Sequence, residues 1–351
     1  MAKAPPPLGG VPRGARCDPQ GQDHFDAAES KDSMASPPPP RAVDDTAVAR
    51  NVAWPGRIEV DIPTMRFEPL VVSPRRFRQQ PYRPDMLVDG WTTRSLTVRV
   101  ACVRGDAHRH GGVPRQDDVA IAFHEATGSL IVVVADGVSA AQHAHHGAAA
   151  ACRYTIDAAL RQLDEAAAID WQVVVHGAAW AIVEVAQRLS GTAEPDAKAA
   201  ERDYAATLSA ACVRRADDGG LEVSVVSVGD SGIGVISEGQ LVRLVGGKAN
   251  VPDDFASSAV LALPRVPATP PIRDWHMEPG AILLVGTDGI WDPVGGGTGP
   301  VARLLVEQLR PGPPDPLQFA RVVDFSRETF DDDRTLVAVW GCGFDAALSG
   351  R

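Results

Sequence analysis

The chain has 351 residues, 44% of them hydrophobic, few aromatics and a formal net charge of −11. That is enough aliphatic material for one large core or two ordinary ones, and the charge argues against a protein that binds nucleic acid by neutralising its phosphates. Five scattered cysteines, Cys17, Cys102, Cys152, Cys212 and Cys342, contain no CxxC pair, which speaks against structural zinc or a disulfide framework and for a reducing, cytoplasmic setting. The N-terminus lacks the apolar stretch of a signal peptide, and no uncharged apolar run reaches the roughly 18–20 residues that span a bilayer, so a soluble chain with no membrane partner is expected.

Residues 1–50 carry Pro5–Pro7, Pro37–Pro40 and polar filler without hydrophobic periodicity, and disorder is expected there. In residues 51–90, Ile58, Val60 and Ile62 alternate as in a strand, but Pro55, Pro63, Pro69, Pro74 and Pro81 interrupt them. An extended arm or linker is expected. From residue 91 to residue 345 the pattern is that of a folded domain, with 346–351 as a tail. Leu96–Arg104, Val119–His124 and Leu130–Ala135 read as strands. Two long helices are expected at Ala140–Leu163 and Ala168–Leu189, where apolar residues recur every three or four positions. Gly191–Asp203 reads as a polar connection. Strands follow at Thr207–Arg214, Leu221–Val228, Gly232–Ser237, Gln240–Val245 and Ala281–Gly286, with Gly219-Gly220 and Glu238-Gly239 as hairpin turns. Val301–Leu309 and Pro316–Glu328 read as helices, and Thr335–Gly341 as a last strand. This order does not alternate strand and helix, so it predicts antiparallel sheets with helices outside, an α+β arrangement.

The acids at strand ends carry the chemistry. The apolar run before Asp136 stops abruptly at Asp136-Gly137, and the run before Asp288 does the same at Asp288-Gly289. Asp331, Asp332 and Asp333 precede the last strand, and Gly229-Asp230-Ser231 separates two others. A buried strand holds its terminal side chain rigidly, and a following Gly admits close approach. Carboxylates gathered this way repel unless a cation neutralises them, and hard oxygen ligands favour Mg²⁺ or Mn²⁺ over zinc. An isolated Asp-Gly is most often a turn, and Asp230 reads as a hairpin turn whose side chain caps the backbone.

The order of these motifs resembles the type 2C metal-dependent Ser/Thr protein phosphatases. The resemblance rests on GGVPRQDD (Gly111–Asp118), VVADGV (Val133–Val138), AATL (Ala205–Leu208), VGDSG (Val228–Gly232), GTDGIWD (Gly286–Asp292) and DDRT (Asp332–Thr335). It implies a four-layer αββα sandwich of two antiparallel sheets flanked by helix pairs. It implies two or three Mg²⁺ or Mn²⁺ ions: Asp136 would bridge a pair of them, the Gly137 carbonyl would help bind one of that pair, and Asp288 and Asp332 would bind the other of the pair. The implied reaction is in-line attack of a metal-activated water on phosphoserine or phosphothreonine of a protein substrate. A monomer is expected.

The sequence departs from the family in places. Its first acidic motif usually reads Arg-x-x-Asn-Glu-Asp; here Gln116, Asp117 and Asp118 stand there, and the favoured register gives Asp117 the catalytic and metal-binding role with Gln116 replacing Glu. Ala107-His108, Gly112, Pro114, Gln116 and Asp117 are similar to a Ser-His…Gln-Asp sub-branch. The phosphate-gripping Arg is absent from its usual place, leaving Arg109 and Arg115 as candidates. Val138 stands where several members carry a proton-donating His; His108, His110, His143, His145 and His146 lie near in sequence without an assignment. Asp203 is a candidate for a third metal, and Asp333 replaces the family's Asn. Thr207, Ser231 and Thr287 read as supporting rather than catalytic. These departures leave open a weakened, phosphatase-like binding module, or a phosphatase of small metabolites.

Overall fold

A computed structural model describes residues 57–65, 69–72, 83–166, 168–246 and 261–341. The segment expected to be disordered (1–50) and the tail (346–351) lie outside the described residues.

The strands form two antiparallel sheets. One is ordered β1 (Met86–Thr92), β2 (Thr97–Val103), β11 (Arg334–Trp340), β10 (Ile282–Gly286), β7 (Gly232–Ser237), β8 (Gln240–Val245). The other is ordered β3 (Asp118–His124), β4 (Ser129–Ala135), β5 (Leu208–Arg215), β6 (Leu221–Val228), β9 (Ile272–Met277). The central strands are apolar on both faces because each face meets a different layer. On β4, Leu130, Val132 and Val134 pack across to Val98, Val100, Leu283, Val285, Val337 and Val339 of the opposing sheet. Its other face, Ile131, Val133 and Ala135, packs beneath α2 (Ala144–Glu165), α3 (Trp171–Ser190) and α4 (Ala197–Tyr204). The outer face of the first sheet is covered by α5 (Asp288–Val294), α6 (Pro300–Leu309) and α7 (Pro316–Val323). The expected α+β sandwich is the fold, and no helix among the described residues is long and apolar enough to cross a membrane.

Five elements escape the sequence reading. The sheet begins at Met86, inside the stretch expected to be an arm, and β1 and β9 are edge strands whose residues are mostly half-exposed and show little alternation. The short helix α1 (Asp106–Gly111) follows β2 directly. Helix α4 arises in the connection expected to be irregular: the Asp196 carboxylate accepts from the Lys198 and Ala199 N–H groups, and Ala200 and Tyr204 bury themselves beneath it. Helix α5 grows out of the GTDGIWD motif, and the indole N–H of Trp291 donates to the Gly232 carbonyl at 2.9 Å.

Helix α7 also ends early, at Val323 rather than Glu328. The residues beyond it are claimed by other partners. Phe325 turns into the core, and Ser326 and Glu328 pair with residues 58–64 as a short parallel strap, with Val60 N–H donating to Ser326 and Ser326 N–H to Ile58. Arg57 fastens the strap's start: it donates to both Asp106 carboxylate oxygens and to the Asp324 carbonyl, and it pairs with the Asp324 carboxylate at 3.0 Å.

Candidate metal centre

Strand register gathers the acidic motifs at one end of the sandwich. Asp118 at the start of β3 pairs with Ala135 at the end of β4, and Leu208 at the start of β5 pairs with Val228 at the end of β6. In the other sheet, Arg334 at the start of β11 pairs with Val103, and Gly286 at the end of β10 pairs with both Leu336 and Gly232. Asp117, Asp136, Asp230, Asp288 and Asp332 therefore project from neighbouring chain ends.

Carboxylate oxygens of Asp136, Asp230 and Asp288 lie within 4.8 Å of one another. Asp230 is thus not the hairpin turn that its Gly-Asp-Ser context predicts. β6 and β7 belong to different sheets, so residues 229–231 cross between sheets and carry Asp230 into the cluster. Gly229 makes that crossing with φ of +104°, and a Cβ there would meet the Thr207 side chain at 2.6 Å. Asp136 is held in line by its neighbours: its N–H donates to Thr207 Oγ1 at 3.0 Å, its carbonyl accepts from the Thr207 N–H at 2.7 Å, and Thr207 Oγ1 bonds Ser231 Oγ at 2.7 Å. Gly137 follows because a Cβ there would meet Ala144 at 2.7 Å and Gln116 at 3.1 Å.

Of the acids in the first acidic motif, the structure brings Asp117 to the cluster. Its Oδ2 accepts from Thr287 Oγ1 at 2.7 Å and from Thr335 Oγ1 at 2.6 Å. Its carbonyl accepts from Arg83 at 2.6 Å. Its Oδ1 is buried with no donor among the described residues, while the carboxylate lies against Asp136. Asp118 instead pairs with Arg83 at 3.3 Å. Gln116 is buried beside Gly137, and its Oε1 likewise meets no donor among the described residues.

The cluster is electrostatically frustrated as it stands. Asp136 keeps part of its surface in solvent, yet the protein around it and then the charges of Asp117, Asp288 and Asp332 push its carboxyl well above the usual range. Burial, then Asp333, raises Asp117 to about 8; burial, then Asp332 and Asp230, raises Asp288 to about 7. Asp332 is raised by the same causes, burial first and the Asp333 charge second. Oxygens this close, one of them orphaned, suit a hard divalent cation, which would relieve the repulsion.

The other candidates are placed differently. Arg115 is buried, its guanidinium engaged by Cys102 Sγ and the Pro84 carbonyl, and Arg109 is ringed by Asp85, Asp106 and Asp324. Both are already committed to the protein. An arginine that the sequence did not single out, Arg243 on β8, lies over the Trp291 ring at 5.0 Å, within electrostatic reach of Asp292, Asp230 and Asp288. Asp203 joins neither acidic group: its carboxylate takes two bonds from Arg202 at 2.9 and 2.6 Å. Burial, reinforced by neighbouring cations, lowers His145 to about 3 and His146 to about 4, so neither is the imidazolium that could act as a general acid near neutrality. His108 belongs with Asp332 and Asp333 in a second group whose ligand atoms lie within 4.8 Å.

No curated protein matches the chain in sequence. Among solved structures, a phosphatase from Toxoplasma gondii superposes with a TM-score of 0.51 at 17% identity, covering 73% of this chain and 95% of its own. The Ser-Thr phosphatase MsPP from Mycobacterium smegmatis, in complex with cacodylate, gives 0.48 at 21%, covering 71% and 99%. The Mycobacterium tuberculosis serine/threonine phosphatase PstP/Ppp gives 0.46 at 15%, covering 71% and 99%. The family model described as Protein phosphatase 2C matches residues 104–328, a span that takes in every motif from the Gln116-Asp117 turn to Asp292. That span is well over half of the chain, and the chain belongs to the protein phosphatase 2C family.

Proposed function

We propose that the chain is a metal-dependent protein-serine/threonine phosphatase. The observation that supports this most is the convergence of Asp117, Asp136, Asp230, Asp288 and Asp332, drawn from five separate segments, on one end of the sandwich, with the carboxyls of Asp117, Asp136, Asp288 and Asp332 raised. Carboxylates so destabilised are kept for a ligand. Bound Mg²⁺ or Mn²⁺ would supply the charge that polarises a phosphoryl oxygen and makes a nearby water acidic.

Asp136, Asp288 and Asp332 are the proposed ligands that reach solvent, with the Gly137 carbonyl beside them, and Asp117 and Asp230 close the set from below. Thr287 and Thr335 fix which Asp117 oxygen faces inward, and Thr207 with Ser231 fixes the Asp136 backbone, so the acids are oriented before substrate arrives. The substrate read here is a phosphorylated seryl or threonyl side chain of a protein met in the cytoplasm.

The purified chain is expected to release inorganic phosphate from phosphothreonyl and phosphoseryl peptides with Mn²⁺ or Mg²⁺, and to stop when chelator is added. Turnover confined to small phosphorylated metabolites would replace protein substrates with that class. No turnover of either by metal-loaded protein would sink the reading.

A further inference from the structure

Asp333 stands where the family has Asn, and the reading above gives it no task. Its side chain is 1% exposed and takes four donors. Oδ1 accepts the Gly105 N–H at 2.6 Å and bonds His108 Nδ1 at 2.8 Å. Oδ2 accepts the Gln116 N–H at 2.5 Å and the Asp117 N–H at 3.3 Å. One carboxylate thereby ties together the start of α1, the loop entering β3 and the acidic turn entering β11. Two of these segments carry proposed ligands, Asp117 and Asp332, and Asp332 Oδ1 accepts the Asp333 N–H at 2.8 Å.

An amide cannot reproduce this. Asn offers one acceptor oxygen and an NH₂ that would point at N–H groups, leaving donors of the Gln116–Asp117 turn or of α1 unmet. A buried carboxylate in turn needs a donor-rich shell and a partner able to carry charge, and His108 is the side chain that completes it.

We infer that His108 and Asp333 are a pair of positioning residues: together they fix the Gln116–Asp117 turn, and through it the aim of the Asp117 carboxylate at a divalent cation. The inference rests on the metal-dependent reading above. It assigns the departure from Asn and the histidine eight residues before Gln116 to one device, neither half of which is useful alone.

The test is Mn²⁺ affinity of the full chain, titrated by electron paramagnetic resonance, for wild type, His108→Ala, His108→Asn, Asp333→Asn and His124→Ala. An asparagine amide places a donor near the position of imidazole Nδ1, so it keeps the bond to Asp333. His108→Ala and Asp333→Asn are expected to weaken Mn²⁺ binding by about 10- to 100-fold, with His108→Asn within about threefold of wild type. His124 bonds Thr127 and Asp164 at the far end of β3, about 20 Å along the strand, and its replacement is expected to leave affinity unchanged. Wild-type affinity in His108→Ala overturns the inference, as does a loss that His108→Asn fails to recover. Should His108→Ala not fold, Asp333→Asn decides alone, since wild-type affinity there is incompatible with the pair. A wild-type chain that binds no Mn²⁺ overturns the functional reading and this inference with it, whereas normal binding by wild type and every variant overturns the inference only.

Discussion

Asp136→Ala is expected to lower metal-dependent phosphate release by about 10³-fold or more, since a metal centre supplies several kcal/mol of transition-state stabilisation and each ~1.4 kcal/mol is tenfold in rate. Asp136 lies against Asp117 and within 4.8 Å of Asp230 and Asp288, so it meets three other members of the proposed ligand set. The same change is expected to leave the metal-free protein at least as stable as wild type. Burial and then three neighbouring carboxylates disfavour the Asp136 charge, so deleting it removes repulsion. An Asp that merely held the fold would show the opposite pattern, with stability falling alongside activity. Phosphate release and thermal melts in chelator, run on one preparation, separate the two. Activity within tenfold of wild type would contradict the role given to Asp136.

The second large effect is a pH dependence that metal cancels. Asp117 and Asp288 titrate in the folded protein near 8 and 7, against an ordinary value of 3.8. The folded state therefore holds protons that the unfolded chain has released, and stability falls as pH rises through those values. His108 works in the same direction: burial disfavours its charge, but Asp333 and its neighbours together outweigh this and raise it to about 9, so its contribution is complete below its ordinary 6.5 and is lost as pH rises through 9. His145 and His146, depressed first by burial, work the other way, but their effect is complete once pH exceeds 6.5. Asp333 is also opposite in sign and acts at lower pH: burial favours its neutral form, but His108 and the backbone N–H groups outweigh this and hold it below 3.8. The clear window is pH 6.5 to 9. Urea denaturation in chelator is expected to show stability falling across it. Cations compete with those protons, so binding tightens with pH. At one hundred times its dissociation constant an ion adds about 2.7 kcal/mol, and the gap between metal-loaded and metal-free curves should widen toward pH 9. Parallel curves would show that the carboxylates are not its ligands.

Much of this is legible in the sequence, and the exceptions have physical causes. β4 was legible because every one of its residues is buried, so its apolar run is continuous and its end at Asp136 is sharp. Helices α2 and α3 were legible because each buries one stripe against the sheet. Asp230 was misread because a Gly-Asp-Ser link between strands looks the same whether the strands pair or part into different sheets. The roles of Arg109 and Arg115 were not readable at all. Arg109 is ringed by Asp85, Asp106 and Asp324, the last of them 215 residues away, and Arg115 meets a cysteine that the strand order brings beside it. Edge strands β1 and β9 were missed because they bury too little to show a pattern. The signal for Asp333 was present in the sequence as a single departure from Asn, but its four donors come from segments at least 216 positions away.

The acids at this end of the sandwich are read as a divalent-cation centre. Diffraction from crystals grown in Mn²⁺, collected at the manganese absorption edge, tests it most directly. Anomalous peaks are expected in contact with the Asp136 carboxylate, with Asp288 and Asp332 sharing an ion there and Asp117 turned toward it. A map with no peak at Asp136, or with manganese held only by surface carboxylates elsewhere, would contradict it.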